Sequence, residues 1–347
     1  MEGEAVPKRI NALCGVLLQS LAFFEKVQRR FHPQLMERHG AALRKESGLI
    51  GQALDEFAGG AGEERDSPAG EALVGASRLL MAAITLFSEP ADDLQAGVMS
   101  ALRAGRKACR VCELLFPLRR ELKAVDAFFR EAPRLGAPPG DAVLHLGEAG
   151  GPYARGNASL YVPGDGAGPR PLIIALHGGF GHGRDFLWSW IRQARSRGMF
   201  LLAPTSTGAT WSLADPGRDL SPLLELVDRL GGEYPLDRDR VLLTGFSDGG
   251  TFCLGCAQRA EARFAAFSPM SGVLPLGDLA RVRSRRIFWI HGSWDWMFPV
   301  ARARAESALL EQAGAEVTFL AKDDLAHALP GEEFPAVLSW FVPGRCP

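Results

Sequence analysis

Residues 240–250 read RVLLTGFSDGG, and within them an apolar run gives way to a glycine-rich turn. The apolar run is typical of a buried strand, and the glycines after it are typical of a tight turn. The turn contains the pattern G-x-S-x-G at Gly245, Ser247 and Gly249. Glycines at these places leave room for a sharp turn that exposes a nucleophilic serine. In a chain with 40 glycines the pattern is weak evidence alone, so its surroundings must be considered.

Eight short runs in the second half of the chain are rich in strand-forming residues. They are AVLHL, ASLYV, PLIIAL, FLLAP, RVLLTG, FAAFSPM, RIFWIHG and EVTFLA. From PLIIAL onward, helical stretches of about 10–15 residues lie between most of them. This alternation predicts a mostly parallel sheet with helices on both faces. Reactive groups of such sheets lie in loops at the carboxyl ends of the strands.

Polar motifs follow three other strands of this predicted sheet, at residues 177–186, 291–299 and 322–331. They read HGGFGHGRDF, HGSWDWMFP and KDDLAHALPG. A serine hydroxyl is a weak nucleophile at neutral pH and needs a base, which in turn needs an orienting acid. Asp295 and His327 lie in the second and third motifs, so the order along the chain is Ser, Asp, His.

Other acids and histidines lie close to these motifs. Asp324 is a reserve candidate for the orienting acid because it also precedes His327. His177 and His291 each precede a glycine at a strand end, and we interpret both as residues that structure their loops.

The motifs ALHGGFGHGRDF, LLTGFSDGG and IFWIHGSWDWMFP, with AH before a final helix, resemble those of the α/β-hydrolase fold. The resemblance covers residues from about 142 to 342 and is strongest to the carboxylesterase and lysophospholipase branch, which includes acyl-protein thioesterases. It implies Ser247 as the nucleophile, His327 as general base and acid, and Asp295 as the carboxylate that orients the imidazole.

The same resemblance implies an oxyanion hole made of backbone N–H groups. One donor would be Asp248, and the other would be Gly179 or Phe180. The family usually has a shorter loop at the second place, so both residues stay candidates. Loss of one such donor typically costs about 10² to 10³ in rate.

Five of the seven tryptophans lie in segments expected to meet at the rim of the site, at positions 188, 190, 211, 294 and 296. We predict that Trp211, Trp294 and Trp296 contact substrate, together with His182 of the glycine-rich loop. The alternative is that the rings pack beneath the loops, as large aromatic side chains often do.

The first part of the chain has a different period, because its apolar residues recur every three or four positions. One such stripe comprises Ile10, Leu13, Leu17, Leu21, Phe24, Val27 and Phe31. Further helices are predicted at about 34–57, 69–87 and 92–130, with Pro117 kinking or dividing the last. We therefore predict an all-α bundle domain at residues 1–135. The proline- and glycine-rich stretch APRLGAPPGD at 132–141 would separate it from a hydrolase domain at 142–347.

Composition argues against several classes of partner. The net charge is −1 and the basic residues are scattered, which is not the pattern of a nucleic-acid-binding protein. The N-terminal stretch lacks a cleavage site of the signal-peptide kind, and no run approaches the ~20 apolar residues of a membrane span. We expect a cytoplasmic protein. Both C-x-x-C pairs lie in helical runs, so we expect reduced thiols rather than a zinc site.

These features predict a serine hydrolase that cleaves small carboxylic esters through an acyl-enzyme and needs neither metal nor organic cofactor. A thioesterase or peptidase would use the same triad, and a non-catalytic hydrolase-fold protein that binds a partner is the alternative from another class. The helical bundle could mediate a homodimer, cover the site as a lid, or stabilise its neighbour.

Overall fold

The computed structural model describes residues 8–60, 62–90, 92–131, 140–147, 150–164, 166 and 168–343. The chain divides into two units, Met1–Glu131 and Ala132–Pro347. The predicted linker at 132–141 lies outside the described residues except at its last two positions, and so does Cys346.

The described part of the first unit is helical. Its helices are α1 Lys8–Arg29, α2 Met36–Ala58, α3 Gly62–Arg65, α4 Pro68–Ser88, α5 Leu94–Leu115 and α6 Lys123–Phe128. The stripe predicted for α1 is buried, and the side chains of Ser67 and Asp93 cap α4 and α5 by accepting backbone N–H bonds. A 3₁₀ turn at Phe116–Arg120 follows α5, because Pro117 has no N–H to continue the α-helix.

Two of these helices, α1 and α4, are long and apolar enough to cross a membrane by length and composition. The expectation that no run approaches this limit therefore does not hold for them. In the structure, 50% of the apolar stretch of α1 and 44% of that of α4 are buried. Core helices of soluble proteins pass the same test, so the finding is weak evidence for a membrane span.

All eight predicted strands form one sheet in the second unit. They are β1 Ala142–Leu146, β2 Ala158–Val162, β3 Arg170–Leu176, β4 Phe200–Pro204, β5 Leu236–Phe246, β6 Ala266–Met270, β7 Arg286–Gly292 and β8 Glu316–Lys322. Their order is β1-β2-β4-β3-β5-β6-β7-β8. β2 runs antiparallel to both neighbours, and the six strands β3 to β8 are parallel to one another.

Helices cover both faces of this sheet. They are α7 Gly183–Arg197, α8 Gly217–Glu233, α9 Asp248–Ala257, α10 Val300–Gln312 and α11 Phe334–Phe341. Alternate residues of β3, such as Leu172 and Ile174, share a buried cluster with side chains of α8, α9 and α10. Ile173 between them is also buried and must face the other side, where Trp190 of α7 stacks on Phe334 of α11 at 3.7 Å. This is the α/β-hydrolase fold that the sequence predicts.

The cysteines of α9 lie in this core. Cys253 and Cys256 are both buried, and burial raises the pKa of each thiol above its usual value. Neither thiol is bonded to another, so the pair behaves as small apolar side chains.

Candidate active site

Ser247 lies between the end of β5 and the start of α9. Its backbone has φ 55° and ψ −118°, a combination that side-chain-bearing residues seldom adopt. The Ser247 N–H donates to the Met270 carbonyl at 2.9 Å, which ties the turn to the neighbouring strand β6. The turn therefore has the strained conformation of a nucleophile elbow, with the serine directed out of the sheet edge.

The glycines of the elbow are required by close backbone approach. A Cβ on Gly249 would lie 2.5 Å from the carbonyl oxygens of Leu176 and His177 at the end of β3. Real Cβ atoms do not approach so closely, so α9 can begin at this place only with glycine in its first turn.

Ser247, His327 and Asp295 form one chain of hydrogen bonds. Ser247 Oγ lies 2.9 Å from His327 Nε2, and His327 Nδ1 lies 2.9 Å from Asp295 Oδ2. A carboxylate only accepts, so Nδ1 carries the proton and Nε2 is free to accept from the serine. Asp324, the reserve acid, does not take this position.

The Asp295 carboxylate is held from several sides. Its Oδ1 accepts the N–H groups of Met297 at 3.0 Å and Phe298 at 2.7 Å. Burial alone would raise the pKa of Asp295. The hydrogen bond and charge of His327 and the Phe298 N–H outweigh burial, and the pKa lies below its usual value. Asp295 is therefore ionised throughout the neutral range.

His291 lies beneath the same carboxylate and is fully buried. Its Nε2 donates to the Phe298 carbonyl at 2.8 Å and lies 3.3 Å from Asp295 Oδ2. Burial lowers the pKa of His291, so the ring is neutral. The predicted loop-structuring role agrees with these contacts.

Aromatic rings surround the His327 imidazole. The ring centroids of Phe246, Phe298 and Trp296 lie 5.1, 5.4 and 6.3 Å from that of His327. They limit the access of water to the imidazole and restrict its rotation. Trp294 is 49% exposed on the same loop, so it is free to touch a bound molecule.

The loop of residues 177–181, here called the oxyanion loop, contains both candidates for the second donor, Gly179 and Phe180. Their contacts differ. Phe180 N–H donates to the Ala209 carbonyl at 3.1 Å and is therefore turned away from a substrate. Gly179 lies beside Asp248, because a Cβ on Gly179 would come 2.7 Å from Asp248 Oδ2. Of the two candidates in this loop, Gly179 is therefore the one whose amide is not bonded to Ala209, and it stays a predicted donor together with Asp248.

Two of the predicted substrate-binding residues are buried. Trp211 is 3% exposed, stacks on Phe252, and donates its indole N–H to the His177 carbonyl at 2.7 Å. His182 is 7% exposed and caps α7 by accepting the Arg184 N–H at 3.1 Å. Both occupy interior positions beneath the loops, where their polar atoms bond to the protein.

Sequence reasoning missed three residues that hold the loops around the site. They are Arg155, Thr210 and Asp219. None belongs to a local motif, and the partners of Arg155 and Thr210 are distant in sequence. Only the three-dimensional structure brings them together.

Chemically, the arrangement suits acyl transfer. A buried acid orients an imidazole, and the imidazole can take the serine proton. Candidate amides at the start of α9 and in the loop after β3 can bind developing negative charge. The helix N-terminus adds its partial positive charge at the same place. Among the described residues, no group of three or more His, Cys, Asp or Glu side chains is arranged to hold a metal ion.

The chain is similar to known proteins in a family model, in one sequence relative and in solved structures. The model of the phospholipase/carboxylesterase family matches residues 219–341, a range that contains Ser247, Asp295 and His327. A bifunctional acetylxylan esterase/xylanase of Neocallimastix patriciarum is 32% identical over 141 residues, which are 39% of this chain and 21% of that protein. The chain thus spans about a fifth of the length of that relative.

Among solved structures, a thermostable esterase has a TM-score of 0.48 at 21% identity, covering 58% of this chain and 62% of its own. Fluorophosphonate-binding serine hydrolase F of Staphylococcus aureus has a TM-score of 0.47 at 16% identity, covering 58% of this chain and 98% of its own. The strongest of these likenesses is the match of the family model. Over residues 219–341, the chain is similar to the phospholipase/carboxylesterase family of α/β-hydrolases.

Proposed function

We propose that this protein hydrolyses carboxylic esters through a covalent acyl-enzyme on Ser247. The observation that carries the proposal is the hydrogen-bonded chain from Ser247 through His327 to Asp295, with 2.9 Å at each step. A serine with this neighbour can lose its proton to Nε2 as it attacks a carbonyl carbon. The match of the family model over residues 219–341 supports the same chemistry.

In the proposed reaction, Ser247 Oγ attacks the ester carbonyl while His327 Nε2 takes its proton. The carbonyl oxygen becomes an oxyanion that the N–H groups of Gly179 and Asp248 stabilise. His327 then returns the proton to the leaving alcohol, and the acyl group stays on Ser247. Water, deprotonated by the same imidazole, attacks the acyl carbon and releases the acid. Asp295 stays ionised and stabilises the imidazolium formed in each step.

The Neocallimastix relative is named an acetylxylan esterase, so acetyl esters of carbohydrates are candidate substrates. The exposed rings of Phe180 and Trp294 lie on two loops of the site, where a flat apolar face could meet a sugar or an acyl chain. Acetylated xylan fragments therefore belong in the substrate panel beside simple esters. A thioester and an anilide with the same acyl group test the alternative leaving groups.

The test uses p-nitrophenyl esters of increasing acyl length with the wild type, Ser247→Ala and Ser221→Ala. Ser221 is an exposed serine on α8 and serves as the matched control. We expect Ser247→Ala to lower kcat by about 10⁴ to 10⁶, as loss of a triad nucleophile does, and Ser221→Ala to match the wild type.

A fluorophosphonate probe separates this proposal from a non-catalytic partner-binding protein. We expect the probe to label the wild type on Ser247 and to leave Ser247→Ala unlabelled. Folded wild-type protein that neither takes the label nor turns over any ester, thioester or anilide would exclude the enzyme.

A further inference from the structure

The loop of residues 205–212 follows β4, in the connection to α8, and runs against the oxyanion loop. The Ser206 N–H donates to His177 Nε2 at 3.1 Å, and the Trp211 indole donates to the His177 carbonyl at 2.7 Å. The Ala209 carbonyl accepts the Phe180 N–H at 3.1 Å. The 205–212 loop therefore holds both ends of the oxyanion loop.

The contact at Ala209 supports an unfavourable backbone conformation. Phe180 has φ 56°, in the left-handed region that bulky residues avoid. In this conformation its N–H turns toward Ala209, and the preceding amide, that of Gly179, is the one left for the oxyanion. Strain of this kind persists only where the surroundings hold it, and it often marks a functional site.

The 205–212 loop is in turn fixed by two charged side chains from other elements. Asp219 of α8 accepts from the N–H groups of Thr207 and Ser212 at 2.8 and 2.7 Å. Arg155 donates to the Gly208 carbonyl at 2.7 Å and to the Gly181 carbonyl at 2.6 Å, so its guanidinium joins this loop directly to the oxyanion loop.

A third attachment reaches the elbow itself. Thr210 Oγ1 donates to Asp248 Oδ2 at 2.6 Å. Asp248 supplies the other proposed oxyanion donor through its backbone, so this one bond connects the support of the first donor to the residue that carries the second. Gly179 lies close to this contact, because a Cβ there would come 2.7 Å from the same carboxylate oxygen and would displace it.

We infer that the side chains of Thr210 and Asp248 are positioning residues that set the spacing of the two oxyanion donors. The inference rests on the proposed function and adds residues to it that touch neither the serine nor the imidazole. Two amides stabilise an oxyanion only while both point at it, so a small displacement of one lowers the rate of the chemical step.

A carboxylate is an unusual choice next to a developing negative charge, because like charges repel. The hydrogen bond from Thr210 holds Oδ2 toward the 205–212 loop. An asparagine at 248 could accept the same hydrogen bond through its amide oxygen without the charge. Replacement by alanine would remove both the acceptor and the charge, so the two substitutions separate the two effects.

The experiment measures kcat and KM for a p-nitrophenyl ester with Thr210→Val, Asp248→Ala, the double variant and Asp248→Asn. Active sites are titrated with a fluorophosphonate so that kcat refers to folded enzyme. Thr318→Val, at an exposed threonine of β8, is the matched control for the loss of a hydroxyl. Thr210→Ser restores the hydroxyl and tests rescue.

We expect Thr210→Val and Asp248→Ala each to lower kcat by about tenfold or more, but by less than the 10² to 10³ that loss of a whole donor costs. KM should change little, because the amides act mainly on the transition state. The double variant should be no slower than the slower single variant, since both break the same bond. Thr210→Ser and Asp248→Asn should recover most of the lost kcat.

Several results would overturn the inference. They are a wild-type kcat in Thr210→Val, a rise in KM at constant kcat, losses that multiply in the double variant, or no recovery in Asp248→Asn. If Thr210→Val does not fold, the two variants of Asp248 decide. A lower kcat in Asp248→Ala that is mostly recovered in Asp248→Asn supports the inference, and equal kcat values in the two variants overturn it. A wild type that the fluorophosphonate fails to label would reject the proposed function, whereas a labelled wild type with unaffected variants would reject this inference alone.

Discussion

The two oxygens of the Asp295 carboxylate have different partners. Oδ2 bonds to His327 and lies next to His291, while Oδ1 accepts two backbone N–H groups of its own loop. Rotation of the carboxylate would break bonds on both oxygens at once. The loop that carries Asp295 therefore fixes the orientation of the imidazole, which is a precondition for Nε2 to face the serine.

Asp295→Asn tests this role. The amide can donate to His327 Nδ1 and so favours the tautomer whose Nε2 carries the proton and cannot accept from Ser247. We expect kcat to fall by about 10⁴, the effect of the same substitution in the serine-protease triad, with folding retained. Steady-state kinetics of Asp295→Asn and Asp324→Asn give the comparison, and an equal loss in Asp324→Asn would contradict the assignment of the acid.

At the scale of elements, the site depends on loops that come from different parts of the sheet. The strands present their carboxyl ends at one edge, and the loops after β3, β4, β5, β7 and β8 meet there. Asp219 of α8 bonds to the loop after β4 and so attaches that loop to the helix. Burial would raise the pKa of Asp219, but the hydrogen bonds from Thr207 and Ser212 outweigh burial and lower it.

Asp219→Asn should therefore destabilise the second unit in a pH-dependent way. Hydrogen bonds to a charged group are each worth about 1.5–3 kcal/mol, and we expect a loss of this order at pH 7. Because the folded pKa is the lower one, the ionised group stabilises the fold fully above the unfolded pKa of about 3.9. That stabilisation is lost as the pH falls through the folded pKa.

Urea unfolding of the wild type and Asp219→Asn at pH 7 and near pH 3 measures the difference. All seven tryptophans lie between residues 188 and 340, so their fluorescence reports on the second unit alone. A gap between the two proteins that stays constant or grows toward acid pH would be inconsistent with this role of the carboxylate.

The strands and the triad could be predicted because their signals are local. Short runs rich in strand-forming residues mark the strands, and the loops that follow parallel strands must lie at the same edge of the sheet. The contacts that support the oxyanion loop could not be predicted. Arg155 bonds to Gly208, 53 residues away, and no sequence pattern around Arg155 indicates this contact. Trp211 illustrates the same limit, because the sequence places it on a loop but does not say whether its ring points outward or inward.

At the scale of the whole molecule, the hydrolase residues form a self-contained set. Ser247, His327 and Asp295 and the side chains described around them lie within Ala132–Pro347. A unit with its own core and complete sheet is expected to fold as a domain. The helical unit is then free to have a separate role, such as the homodimer contact that we propose as one of its uses.

A chain of residues 140–347 tests this independence. We expect it to fold and to hydrolyse p-nitrophenyl esters with a kcat close to that of the full chain, because every described contact of the site is retained. Fluorophosphonate titration and kinetics of the two proteins, with their masses in solution, provide the measurement. A folded fragment with a strongly reduced kcat would mean that the helical unit takes part in the reaction.

The backbone contact between Gly249 and the end of β3 affects which substitutions the site tolerates. There, main-chain atoms of α9 rest on main-chain atoms at the end of β3, with no side chain between them. The offset between the nucleophile and the neighbouring strand is thus a property of the polypeptide backbone, which every substitution elsewhere in the core leaves chemically the same. Substitution of an interior side chain elsewhere leaves this backbone contact in place, provided that residue 249 stays glycine.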